Sequence, residues 1–197
     1  MKKFILLILC SVVCGCKFPD TPVPLRYTDK EASYNSITCT HDSFKKTTWC
    51  YSAPVADSQL IKNINGQNVF DINGWRYMDD IVFFRTSQKD SVKKYDIIQL
   101  YFEMNGACWV FYNSAYDMAG NKLDFVEIDR QVGSCGGISC NCKEEFAINV
   151  DKKYLKKYEN KGLTIRLYGK YGEKNFSFRP EYIQGLVKHL ENIKVQK

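Results

Sequence analysis

Strict alternation through residues 98–104 constrains this chain more than any other feature. Ile98, Leu100, Phe102 and Met104 interleave with Gln99, Tyr101 and Glu103. Successive side chains of an extended backbone point to opposite faces, so a period of two marks a strand with one apolar side. Asn105-Gly106 comes next, and then Ala107-Cys108-Trp109-Val110-Phe111-Tyr112. Asn-Gly between two such runs predicts a two-residue type I′ hairpin, because that turn needs positive φ at both central positions. The turn would set the register: Met104 opposite Ala107, Phe102 opposite Trp109, Leu100 opposite Phe111. That apolar face is expected in the core. Cys108 would then lie on the other face, opposite Glu103, beside Tyr101 and Val110.

Further strands are expected at 36–41, 47–52, 68–72, 81–86, 122–132, 145–150, 163–168 and 175–179. Leu163, Ile165 and Leu167 share one face of their strand, and Thr164, Arg166 and Tyr168 share the other. Residues 169–172, bounded by Gly169 and Gly172, make a turn between the last two strands. Two helices are expected. Asp151 can cap one over 152–160, with Gly162 near its C-terminal end. The other starts at Pro180, where a missing N–H costs nothing, and Glu181 suits the positive end of its dipole. Ile183, Leu186, Val187, Leu190 and Ile193 form an amphipathic stripe along it. The expected fold is α+β: a strand-rich antiparallel sheet or sandwich with a C-terminal amphipathic helix packed on it. At 197 residues, with 45% hydrophobic and 25% charged residues, the chain is the size of one domain plus a tether. Those values exclude a disordered, collagen-like or multi-span membrane protein.

The N-terminus carries its own signal. Met1-Lys2-Lys3 precedes an apolar run over residues 4–13, shorter than the roughly 20 residues that a membrane-spanning helix needs. Val13-Cys14-Gly15-Cys16 follows and resembles the lipobox of bacterial lipoproteins. In that family the cysteine is acylated and becomes the mature N-terminus. Cys16 fits better than Cys14, because small Gly15 precedes it and branched Val13 precedes the other. The resemblance implies a signal peptide at 1–15, an acylated Cys16 and stable anchoring in a lipid bilayer. Loss of Lys2 and Lys3 would lower the net charge of +6 by two. Lys17 is not the Asp that retains such lipoproteins at the inner membrane, so the outer membrane is favoured in a host with two membranes. Residues 16–33, with Pro19, Pro22 and Pro24, are expected as a semi-rigid tether. An ordered arm at Leu25-Arg26-Tyr27 is the alternative. The globular domain is expected at 34–197.

Nine cysteines then divide. Cys10 and Cys14 go with the signal, and Cys16 takes the lipid. Cys39, Cys50, Cys108, Cys135, Cys140 and Cys142 remain as disulfide candidates in an exported domain, with 15 possible connectivities for three bridges. Cys135, Cys140 and Cys142 lack the paired C-x2-C spacing of structural zinc sites, and His41 and His189 are distant in sequence. No metal or cofactor is expected.

Candidate chemistry is thin. His41-Asp42-Ser43 holds the three side-chain types of a hydrolase triad, but adjacent residues on an extended segment point to opposite faces and cannot form one relay. Asp117-Met118-Ala119-Gly120-Asn121 lacks the alternating ligands of a calcium loop. It reads as a turn in which Asp117 bonds its own backbone and Gly120 takes positive φ. Asp129 and Arg130 should each pair across strands. Lys152, Lys153, Lys156 and Lys157 fall two per face on a helix and are candidates for contact with an anionic surface, against a merely solvated face. No catalytic residue is assigned. Nucleic acid is not an expected partner of an exported protein.

From Asp42 onward the chain resembles a group of uncharacterised bacterial lipoproteins with a strand-rich domain of unknown function. The resemblance rests on Asp42-Ser43-Phe44-Lys45 with Thr47-Thr48, on Phe111-Tyr112, Ala115-Tyr116-Asp117 and Gly120, and on Leu123-Asp124-Phe125 with Asp129-Arg130. It continues through Gly133-Ser134-Cys135, Cys140, Glu144, Gly162-Leu163, Tyr168-Gly169 and Pro180-Glu181-Tyr182-Ile183-Gln184-Gly185. It transfers no activity. The resulting expectation is a non-enzymatic envelope lipoprotein with a binding or assembly role in the periplasm and an envelope protein as its partner. The rivals are a periplasmic inhibitor or immunity-type protein, with 133–141 as an inserted loop, and an unrecognised hydrolase.

Overall fold

The computed structural model describes residues 23–24, 29–56, 80–92, 94–106, 109–136 and 139–192. The elements in chain order are β1 (Val23–Pro24), α1 (Lys30–Asn35), β2 (Thr38–Asp42), β3 (Thr47–Tyr51), β4 (Val55–Ala56), β5 (Ile81–Lys89), β6 (Ile97–Gly106) and β7 (Tyr112–Asp117). They continue with β8 (Asp124–Gly136), β9 (Ser139–Asn149), α2 (Lys152–Tyr158), β10 (Leu163–Gly169), β11 (Gly172–Phe178) and α3 (Pro180–Glu191). The expected strand at 68–72 lies outside the described residues, as do the signal peptide and Cys16.

Two sheets form. The larger has the order β2-β3-β5-β6-β9-β8, with β4 also paired to β5, and the smaller has the order β1-β11-β10-β7. All pairings are antiparallel except that of β1 with β11. The alternation read from the sequence sets which face of each strand is buried. Val82 and Phe84, then Leu100, Phe102 and Met104, then Phe146 and Ile148 form the inner face of the larger sheet. Leu163, Ile165, Leu167, Phe176 and Phe178 form the inner face of the smaller one. Phe102 joins the two, stacked 5.2 Å from Phe146 and edge-on 5.2 Å from Phe176. Helix α3 adds Tyr182, Ile183, Leu186, Val187 and Leu190 to the same core, matching the expected stripe up to Leu190. The α+β class is therefore as expected.

The hairpin at Asn105-Gly106 is not. Strand β6 runs straight through both residues, and its two edges are taken by β5 and β9, so that Leu100 pairs with Phe84 and with Ile148. Trp109 and Phe111 are half-buried rather than core residues. The chain instead crosses to the smaller sheet, where β7 pairs with β10. A buried carboxylate makes the crossing. Glu144, paired with Met104 in the β6–β9 register, accepts the N–H groups of Val110 (2.7 Å), Phe111 (3.0 Å) and Tyr112 (3.0 Å). Phe111 sits in the left-handed region at φ 59°. Three amide bonds to a charged acceptor, together with ladder bonding on both edges of β6, outweigh a local turn preference.

Helix α2 is capped as expected, the Asp151 carboxylate accepting the Tyr154 N–H at 2.6 Å. Gly162 follows at φ 75°, where a Cβ would stand 2.6 Å from the Phe178 carbonyl oxygen. Helix α1 occupies the end of the expected tether. Ser33 is fully buried against α3, its hydroxyl bonded to the Tyr182 carbonyl at 3.1 Å. Residues 133–141, expected as an exposed loop, fall largely within the two long strands β8 and β9.

Candidate ligand-binding groove

The outward face of the smaller sheet is where polar chemistry gathers. Period-two alternation turns Ser114 and Tyr116 of β7, Thr164, Arg166 and Tyr168 of β10, and Asn175 of β11 away from the core. The register aligns them in rows: Tyr116 and Asn175 flank Arg166, Ser114 lies beside Tyr168, and Thr164 lies beside Ser177. These side chains bond along the rows. Arg166 Nε donates to Asn175 Oδ1 at 2.8 Å, and the Thr164 and Ser177 hydroxyls are 2.8 Å apart. The rings of Tyr116 and Tyr168 meet edge-to-face at 5.6 Å and 86°. The turn at Asp117–Asn121 forms a wall, and Met118 on it is 81% exposed. Together they line an open groove of about 750 Å³.

Asp117 builds that wall, as the sequence suggested. Its Oδ1 accepts the N–H of Ala119 and of Asn121 at 2.9 Å each, and Gly120 stands at φ 81°. The hydroxyls of Tyr158 (2.7 Å) and Tyr154 (3.2 Å) donate to Oδ2 from α2. Burial works to raise the pKa of this carboxyl, but the bonds from Asn121, Tyr158 and Tyr154 outweigh it and hold the pKa down to about 2. The carboxylate is thus turned inward and spent on structure. The groove itself presents a guanidinium, an amide, hydroxyls and two aromatic rings, a set suited to binding a polar ligand.

The other residues singled out from the sequence lie elsewhere. His41 Nδ1 is 3.1 Å from Thr48 Oγ1, while the Asp42 carboxylate caps the turn after β2, so His41, Asp42 and Ser43 do not converge. His189, half-buried on α3, stands 3.0 Å from the Tyr95 hydroxyl, and burial pushes its pKa down to about 4. Cys39 and Cys50, paired across β2 and β3, form a disulfide. Their sulfurs and a His189 nitrogen lie within 4.8 Å of one another, but bonded sulfurs are not thiolate ligands. Cys142 carries a free thiol. Cys135 and Cys140 are partners in the β8–β9 register, and Cys108 lies outside the described residues. On α2, Lys156 and Lys152 reach Glu191 at 2.7 and 3.9 Å, Lys157 lies over the Tyr158 ring, and Lys153 points to solvent. Glu191 therefore offsets part of the expected cationic face, at Lys152 and Lys156.

Arg130 pairs across strands with Glu144 at 3.2 Å, donates to the Tyr112 carbonyl at 3.0 Å and lies 5.3 Å over the Phe111 ring. Asp129 instead accepts from Gln131 two residues on. The groove was missed because Ser114 and Tyr116 come from β7, a strand hidden by the false hairpin. The outward Thr164-Arg166-Tyr168 set was its one visible sign. No family model, curated protein or solved structure matches the chain, and no helix among the described residues is long and apolar enough to cross a membrane.

Proposed function

We propose that this chain is a lipid-anchored bacterial envelope protein whose domain binds a saccharide in the groove of the smaller sheet. The observation that carries the binding reading is the row Tyr116-Arg166-Asn175, with Tyr168 edge-on beside it, lining a cavity of about 750 Å³. That volume falls in the range of small-molecule sites, roughly 300–1,000 Å³. Tyrosine offers an apolar face and a polar tip together, which suits a sugar ring with its hydroxyl groups. Arg166 adds paired donors, and Glu173 at 3.6 Å tempers its charge, so a neutral or weakly acidic glycan fits better than a highly charged anion. The anchoring part of the reading rests on the lipobox at Val13–Cys16 and the apolar run before it.

Two measurements test these parts separately. Calorimetric titration of the full chain in detergent with soluble fragments of bacterial cell-wall glycan should show saturable binding. Tyr168→Ala should weaken it about tenfold, equivalent to about 1.4 kcal/mol. Equal affinity in the variant and the parent would remove the groove from the mechanism. Cys16→Ala should yield an unprocessed or soluble form without palmitate label, and continued labelling in the membrane fraction would defeat the anchor.

A further inference from the structure

The turn between β2 and β3 carries the most exposed large apolar side chain among the described residues. Phe44 is 99% exposed, with Lys45 and Lys46 directly after it. A lone exposed hydrophobe is common on protein surfaces and needs no explanation by itself. Here the surrounding chain holds it out. The Asp42 carboxylate accepts the N–H of Phe44 at 3.0 Å and of Lys45 at 2.9 Å. The Thr47 hydroxyl donates to the Lys45 carbonyl at 3.0 Å, and the Asp90 N–H donates to the Lys46 carbonyl at 2.9 Å. Lys46 takes a left-handed φ of 53°. The Cys39–Cys50 disulfide ties the two strands together behind the turn. Neither Lys45 nor Lys46 forms an ion pair within 4.0 Å among the described residues.

We infer that this braced turn is a membrane-docking tip that inserts Phe44 at the headgroup boundary of an anionic bilayer while Lys45 and Lys46 meet lipid phosphates. An aromatic ring beside flexible ammonium groups is the composition that partitions to that boundary: the ring enters the acyl edge and the charges stay with the headgroups. Charge complementarity selects a lipid surface over an apolar protein pocket, where two ammonium groups would have to be desolvated. The six residues between Cys16 and Val23, where β1 joins the smaller sheet, span at most about 25 Å, so an anchored domain stays within reach of its own bilayer. The tip is separate from the groove and stands or falls without it. It rests on the anchored reading only for bringing the domain to a membrane.

The test places a reporter at the tip of the full chain. Phe44→Trp protein, purified from membranes, is mixed with vesicles of phosphatidylethanolamine and phosphatidylglycerol with brominated acyl chains. The added indole emission should be quenched beyond the change seen for the native tryptophans of the parent chain. Adding Lys45→Gln and Lys46→Gln should lower the ratio of docked to undocked tips about thirtyfold. Phosphatidylcholine vesicles should give the same loss. Flotation of the vesicles reports anchoring independently. Protein that floats without extra quenching overturns the docking tip and leaves the anchor intact. Quenching in a Cys16→Ala chain at saturating lipid supports the tip without the anchor. Protein that neither floats nor is quenched overturns both.

Discussion

Two carboxylates, Asp117 and Glu144, organise much of the backbone around them, and each is more than nine-tenths buried. Glu144 collects three amides and Arg130, so its removal leaves those donors without an acceptor in a dry site. Glu144→Ala should cost about 3–5 kcal/mol in urea denaturation, the usual scale for breaking a buried charged pair. Asp117 has its pKa held near 2 against an ordinary 3.8. A depressed carboxyl stabilises the fold fully above its unfolded value, and that contribution, about 2 kcal/mol, is lost as the pH falls from 4 through 2. Asp117→Asn should flatten this part of the acid profile. His189 acts at higher pH. Burial lowers its pKa from 6.5 to about 4, so the folded ring stays neutral where the unfolded one takes a proton. Its contribution is complete above pH 6.5 and declines between 6.5 and 4. Stability measured at pH 7 and pH 5 should differ by up to about 2 kcal/mol more in the parent than in His189→Leu.

Helix α1 has only six residues and holds its place by packing. Gly185 of α3 lets it approach: a Cβ there would stand 2.4 Å from the Ser33 hydroxyl oxygen and 2.8 Å from the Tyr34 nitrogen. Gly185→Ala should therefore detach α1, seen as proteolysis after Lys30 with the α3 core retained; an unchanged digestion pattern would show that α1 can shift at little cost. The β2–β3 hairpin depends on its bridge in a comparable way. Cys39 and Cys50 are 11 residues apart in sequence, a short loop whose closure is worth about 3 kcal/mol or less. Double replacement by Ser should lower the melting temperature and free the edge strand β2, measurable as faster amide exchange at Thr38–Asp42.

At the scale of the whole molecule, two sheets share one core, and the chain leaves the larger for the smaller at Val110–Tyr112. Glu144 sits at this crossing, so the fold's topology and one side chain are tied together. The period of two, the caps at Asp151 and Asp117, Gly162 and the stripe of α3 were legible because each depends on neighbours within a few residues. Such local signals determined element type, the buried face of most strands and the α+β class. They could not determine which strand pairs with which. Asn105-Gly106 carried a sound turn signal, yet β6 already had a partner on each edge, and a third strand had nowhere to bond. The same non-local competition created the groove, since Tyr116 and Tyr168 come together only after β7 has crossed to β10. Periodicity is written along the chain, whereas partner choice depends on which edges, amides and carboxylates remain unsatisfied once the whole core has closed.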